Sequence, residues 1–389
     1  MSDKSVSYVL HHLDEDDNPY GAVSPPIYQT SIFSFKSFAE FKEALDDELG
    51  HSLYTRGNNP TVMLAEKKLA ALEGTERAKL VSSGSSAISH AIMAFVKSGD
   101  HVVCVRDCYG WCSNLLAKYL PRFGVTHTFV DGSDMDEVIG AIRPETKIIY
   151  LESPTSLTFK LQNLPGIAAE AKKRGIRTII DNTWATPIFC NPAKFGVDIV
   201  VHSGSKYFGG SSDIVAGVIA GSRKDIDLIQ NQEFLQLGTV PDPFMAWLML
   251  RGLRTLHIRM KTHYENALFI ASWLEKHPRV ESVMYPMLPS YPQHELAQQL
   301  FRGGSGLFRV NLKTRQMPDI IRFTDALKIF KRAVSWGGYE SLVYPNAIRY
   351  KPGDDIPPER LGLVRLHIGL EEKEDLIADL ENALREIKG

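Results

Sequence analysis

The chain has 389 residues, 44% hydrophobic and 23% charged, with a formal net charge of −2. That length suits two domains with a large buried core, and the balanced charge excludes a chain-wide field for nucleic acid or a membrane surface. The polar, acidic start lacks the apolar core of a signal peptide and no apolar run approaches the length of a membrane span, so a cytoplasmic location is expected.

In chain order, the first fifty-odd residues are irregular, with a Pro pair and scattered aromatics in SPPIYQTSIFSF. Such an arm seldom folds alone; it is expected to span residues 1–58 and to pack on another subunit. From Pro60 an α/β alternation begins. TVMLAEKKLAALEG has helical periodicity and a Gly stop, and SSAISHAIMAFVKSGD is a second helix. HVVCV, THTFVD, KIIYLESP, RTIIDNT, DIVVHSGS and VAGVIAG read as strands, with LLAKYLPRFG, DMDEVIGAI and GIAAEAKKRG as helices. This alternation predicts an α/β domain over 59–245 with a mostly parallel sheet covered by helices. After about residue 222 the pattern changes. DPFMAWLMLRGLRTLHIRMKTHYENALFIASWLEKH is a long helical stretch with a break expected near Arg251-Gly252. SGLFRVNL and LVRLHIGL as strands, with DIIRFTDALKIF and KEDLIADLENALREI as helices, predict a smaller α+β domain over 246–389. No repeat of 20–50 residues is present.

The four cysteines are Cys104, Cys108, Cys112 and Cys190, too few for a disulfide scaffold. The spacing of four would align the first three only on a single helix. Cys104 falls in HVVCVRD, which reads as a strand, so these cysteines read as small core residues and no metal is expected.

In open α/β sheets, ligands bind beyond the C-terminal ends of the strands. Glu152, Asp181 and the Ser203–Lys206 cluster all stand at such ends. An acid and a lysine on successive strand ends can meet over one small molecule. Pyridoxal phosphate (PLP) chemistry uses that pair: a lysine for the aldehyde and a carboxylate for the pyridine nitrogen. A salt bridge at a strand edge accounts for the same two residues. Ser82-Ser83-Gly84-Ser85-Ser86 before an apolar helix offers a phosphate site, or an ordinary helix cap. Arg56 offers a bidentate grip on an anion. Ser203-Gly204-Ser205-Lys206 also matches S-x-x-K, but it follows a strand and the partner motifs S-D-N and K-T-G are missing.

YTRGNNPT, SSGSSAI, CYG, ESPTS, DNTWATP, HSGSKYFGG, PFMAWLMLRGLRTL, SWGGYESL and RLHIGLE occur in this order across residues 54–371. Together they resemble the Cys/Met-metabolism family of PLP enzymes, most closely its bacterial cystathionine β-lyase branch. The resemblance implies the aspartate-aminotransferase type of fold (PLP-dependent transferase fold type I), with a seven-stranded sheet. It also implies that Lys206 links to the cofactor, Asp181 pairs with its pyridine nitrogen and Tyr109 stacks on its ring. Gly84, Ser85, Ser203 and Ser205 would bind the phosphate. Tyr54 and Arg56 would reach it from a neighbouring subunit in a homotetramer built from dimers. Arg365 would clamp a small amino-acid substrate's carboxylate, helped by Ser335 and Trp336. Tyr54 or Tyr109 would serve as a base for substrate entry. Ser156, Val334 and Trp111 stand where γ-acting members often carry Asn, Glu and Cys. They point to β-elimination from L-cystathionine, against γ-lyase, γ-synthase, cysteine-S-conjugate lyase, racemase or non-catalytic alternatives.

Overall fold

The computed structural model describes residues 4–15, 20–351, 354 and 357–388. Parts of the acidic start, residues 1–3 and 16–19, lie outside the described residues.

The larger sheet contains β1 (Arg77–Val81), β2 (His101–Val105), β3 (Thr126–Val130), β4 (Thr146–Glu152), β5 (Arg177–Asp181), β6 (Ile199–Ser203) and β7 (Gly217–Gly221). Their order is β1-β7-β6-β5-β4-β2-β3. All neighbours are parallel except at β7, which runs antiparallel to both β1 and β6. This is the mostly parallel seven-stranded sheet expected. Strands such as β2 and β7 are buried throughout, as helix cover on both faces requires.

Six of the seven strands are legible in the sequence, whereas β1 (RAKLV) escapes the pattern because a lysine stands in its middle. Lys79 is only 1% exposed. It is tolerated because Glu66 lies 3.2 Å away and the carbonyl of Gly57 accepts from its ammonium at 3.0 Å. The helix Pro60–Glu73 that supplies Glu66 begins where expected. Asn59 caps it, Pro60 fits the first turn, and Gly74 ends it in the left-handed conformation. The expected helix at LLAKYLPRF is instead one π turn, Leu115–Tyr119, followed by a 3-10 turn, Leu120–Phe123. Pro121 lacks the N–H that would continue an α-helix.

The smaller sheet contains β8 (Val280–Met284), β9 (Leu307–Leu312), β10 (Lys331–Arg332), β11 (Leu342–Pro345) and β12 (Leu363–His367), in the order β10-β11-β12-β9-β8. Helices Met317–Ala326 and Lys373–Arg385 accompany it. Two helices join the sheets, Pro243–Arg254 and Leu256–Leu274, with the break at Thr255 rather than at Gly252. Gly252 serves close packing. A Cβ there would lie 2.3 Å from the Phe208 carbonyl and 2.4 Å from that of Gly209. The helix therefore presses on the backbone that follows Lys206.

Residues of the N-terminal arm leave large apolar side chains in the open, including Tyr20 and Val23, both more than 90% exposed.

Candidate functional site

Three parallel strands end side by side. Glu152 closes β4 and Asp181 closes β5, directly paired in register, and Ser203 closes β6. Asp181 accepts from the Thr183 backbone N–H at 2.9 Å and from its hydroxyl. Thr183 in turn accepts from the Ser203 N–H at 2.9 Å. Burial pushes Asp181 upward from the ordinary carboxylate range, and the nearby His202 opposes that. Among the described residues no cationic side chain lies within ion-pair distance of Asp181. It is a half-buried carboxylate without its counter-ion, suited to a protonated ring nitrogen.

Glu152 accepts from the Tyr109 N–H at 2.7 Å and bonds Ser156. Burial, and then Asp181, hold its pKa well above the usual carboxylate range. Tyr109 sits at the start of the helix Gly110–Asn114 with its ring 39% exposed. The Glu152 bond fixes its backbone and leaves the ring free to present a face.

Lys206 follows β6 by a short turn. Its ammonium donates to the Ser335 hydroxyl and lies 5.4 Å from the Trp336 ring centre. Burial, then the charge of Arg365, lowers its pKa to about 8. A lysine so shifted has a usable fraction of neutral amine near physiological pH.

The loop carrying Ser335 joins β10 to β11 of the smaller sheet in a constrained form. Ser335 adopts a positive φ of 80° and Gly337 one of 87°. A Cβ on Gly337 would lie 2.9 Å from the Lys206 Cβ. The Gly337 N–H donates to the His367 Nε2 at 3.1 Å. Burial drives the His367 pKa far down, which keeps the imidazole neutral and able to accept. Arg365, two residues earlier on β12, donates to the Ser335 carbonyl at 3.5 Å and stacks 5.2 Å from the Tyr344 ring. No carboxylate lies within ion-pair distance of it among the described residues. Burial lowers its pKa to about 10, so it keeps its charge.

An anion site lies beside this cluster. The helix Gly84–Met93 begins against Ser203, where a Gly84 Cβ would stand 2.8 Å from the Ser203 Cβ. Ser83 caps the helix by accepting from Ser86, and the amides of Gly84 and Ser85 occupy the first turn, where donors lack helical partners. The Ser205 hydroxyl is engaged with both the N–H and the carbonyl of Ala216. Acids at one end, a basic lysine and arginine at the other, and an amide-lined helix start form a donor set that fits PLP.

A model of the Cys/Met metabolism PLP-dependent enzymes matches residues 7–385. The chain belongs to this family. Its cofactor is therefore PLP, and it is a carbon–sulfur lyase or synthase. An L-methionine gamma-lyase of Porphyromonas gingivalis is 40% identical, covering 95% of this chain and 94% of that protein. A cystathionine gamma-lyase of Bacillus subtilis is 38% identical, with 99% and 100% covered. A solved structure of metB from Corynebacterium glutamicum shares 33% identity and a TM-score of 0.90, with 98% of each chain covered.

Of the residues expected at the family site, Lys206, Ser335, Trp336 and Arg365 cluster at one end. Asp181, Tyr109, Gly84 and Ser203 line the strand ends. Tyr54 and Arg56 lie apart. Both are exposed, with Arg56 5.9 Å from the Tyr54 ring centre, and among the described residues neither bonds to the Lys206 cluster. Sequence reasoning missed Thr183, Gly337 and His367. Their signals were present in DNTW, SWGGY and RLHIG but carried no chemistry by themselves. No described helix is long and apolar enough to cross a membrane.

Proposed function

We propose that the chain is a carbon–sulfur β-lyase that cleaves L-cystathionine to homocysteine, pyruvate and ammonia. The observation that carries the reading is the Lys206 ammonium held on Ser335 and lowered to about 8, with an unpaired Asp181 at the neighbouring strand end.

In this reading Lys206 anchors the cofactor, Asp181 keeps its ring nitrogen protonated, and Tyr109 covers one ring face. The cofactor supplies an electron sink for the charge left at Cα when a proton is removed. Gly84 and Ser85 hold the phosphate through amides at the helix start and Ser203 through its hydroxyl, with Ser205 joining by turning its hydroxyl from the Ala216 carbonyl. Arg365 takes the substrate carboxylate, and Ser335 and Trp336 orient it. The freed Lys206 amine removes the Cα proton. The phenol of Tyr109 or Tyr54 takes a proton from the incoming amine. Tyr54 and Arg56 act in a neighbour's site, so the working unit is a homo-oligomer, a tetramer built from two dimers. The exposed apolar arm supports that assembly, since such surface calls for a partner.

Elimination at Cβ needs one proton removed at Cα and one delivered to the leaving sulfur; the shifted Lys206 amine serves the first, and the phenol of Tyr109 or of a neighbour's Tyr54 the second. Val334, 72% exposed beside Ser335, puts no acid at the position where γ-acting members often carry Glu. A second reading, γ-elimination or γ-replacement, is favoured by the names of the relatives, which are gamma-lyases and gamma-synthases.

Borohydride reduction of the yellow holoprotein followed by peptide mapping tests the anchor. The cofactor mass is expected on the peptide containing Lys206, and Lys206→Ala is expected to lose turnover while keeping the fold. A label on another lysine, or substantial activity in Lys206→Ala, contradicts the assignment.

A further inference from the structure

Three of the four cysteines converge although they belong to different elements. Cys104 lies on β2, Cys108 in the following turn, and Cys112 on the helix Gly110–Asn114. The strand assignment that separates Cys104 from a common helix holds, yet the turn folds back. All three sulfurs lie within 4.8 Å of one another, with Cys104 and Cys108 3.6 Å apart. None is more than 5% exposed, and all are free thiols. Ordinary core cysteines pack against hydrocarbon; these pack sulfur against sulfur.

We propose that Cys104, Cys108 and Cys112 form a binding site for one soft, thiophilic cation in three-coordinate geometry, of which Cu(I) is the representative. With metal–sulfur bonds of about 2.3 Å, three sulfurs around a trigonal ion stand about 4.0 Å apart. The observed spread therefore closes on an ion with small side-chain movements. No His, Asp, Glu or further Cys joins the group among the described residues. Zn(II) takes four ligands in structural sites, so a three-sulfur set selects a softer ion content with three.

A second observation points the same way. The Tyr150 hydroxyl is fully buried and makes no hydrogen bond among the described residues. Tyr150 pairs in register with Cys104 on the adjacent parallel strand. It is placed to donate to a coordinated sulfur, the outer bond that steadies a metal ligand. The Cys108 sulfur lies within hydrogen-bond reach of the Cys104 sulfur and approaches the Ser113 hydroxyl at 3.3 Å. Binding replaces S–H bonds with metal–sulfur bonds and releases the protons to solvent, with no change of oxidation state. Entry is from the Tyr109 side, where Cys108 is the least buried of the three.

The site is independent of the reaction proposed above, and its test uses no substrate. Reduced, anaerobic holoprotein is titrated against a chromogenic Cu(I) chelator. Wild type and Cys190→Ala are expected to withdraw one equivalent. X-ray absorption of the wild-type complex should show three sulfur neighbours at about 2.3 Å. Cys108→Ala should abolish the withdrawal, and Cys104→Ala or Cys112→Ala should weaken it at least about tenfold, a loss of about 1.4 kcal/mol. Failure of folded wild type to compete with the chelator overturns the proposal, as does equal uptake by folded Cys108→Ala. Tighter binding of Zn(II) with a nitrogen or oxygen fourth neighbour overturns the three-coordinate assignment. Should Cys108→Ala not fold, the wild-type absorption spectrum decides alone.

Discussion

Replacing Gly337 by alanine separates the strain of a left-handed residue from the contact it makes with Lys206. Gly337 has φ 87° and Gly74 has φ 70°, so alanine at either carries a similar backbone cost of roughly 1–2 kcal/mol. A Cβ on Gly74 meets nothing within 4 Å, whereas one on Gly337 meets the Lys206 Cβ and the Tyr207 nitrogen, each at 2.9 Å. Relieving that overlap means displacing the backbone of Lys206 or the Ser335–Gly338 loop, and either separates the ammonium from the Ser335 hydroxyl. A misplacement approaching 1 Å costs a catalytic group about 100-fold in rate, about 2.7 kcal/mol. Urea unfolding and keto-acid release from a sulfur amino acid are measured on both variants. Both are expected to lose stability by that backbone cost, and Gly337→Ala somewhat more because of its overlap. Gly74→Ala should keep its turnover, and Gly337→Ala should lose about 100-fold in kcat/KM. If Gly337→Ala turns over like Gly74→Ala at equal stability, the loop does not position Lys206.

With Lys206 as the proposed anchor, its lowered pKa is expected to make cofactor uptake by the apoprotein pH-dependent. Only the neutral amine attacks an aldehyde, so the uptake rate should rise with pH through a midpoint of about 8. At pH 7 about a tenth of the lysine is neutral, against about one part in 3000 at the ordinary value. Arg365→Met removes the second cause of the lowering and should move that midpoint upward; an unmoved midpoint argues against their coupling. Glu66→Ala should destabilise by about 3–5 kcal/mol in urea, because it strands the buried Lys79 ammonium without its carboxylate. A loss under about 1 kcal/mol would mean that the carbonyl of Gly57 and the side chain of Asn58 suffice to hold that charge.

The sequence made the parallel part of the sheet legible because β2, β4, β5 and β6 are buried on both faces and their side chains are nearly all apolar. The chemistry at their ends was legible for the same reason: Glu152 and Asp181 directly follow apolar runs, and Lys206 follows one by a short polar turn. What stayed hidden depends on contacts between distant segments. β1 carries a lysine whose partner lies on another helix, so local hydrophobicity misreads it. The antiparallel sense of β7 follows from its insertion between β1 and β6, which its composition does not encode. Ser335 and Lys206 are separated by 129 positions, and only the positive φ of Ser335 and Gly337 brings them together. The three cysteines met by a turn of the chain after β2, whereas their spacing had suggested only a helix face. Family resemblance alone suggests roles for Tyr54 and Arg56, which among the described residues of one chain make no bond to the Lys206 cluster.

The identity of the keto acid tests the account most directly. Purified protein with added PLP and L-cystathionine is expected to release pyruvate with one equivalent of homocysteine, in keeping with Ser156 and Val334 at positions where γ-acting members often differ. Release of 2-oxobutyrate with cysteine would keep the cofactor and Lys206 but contradict β-elimination and place the chain with its gamma-lyase relatives.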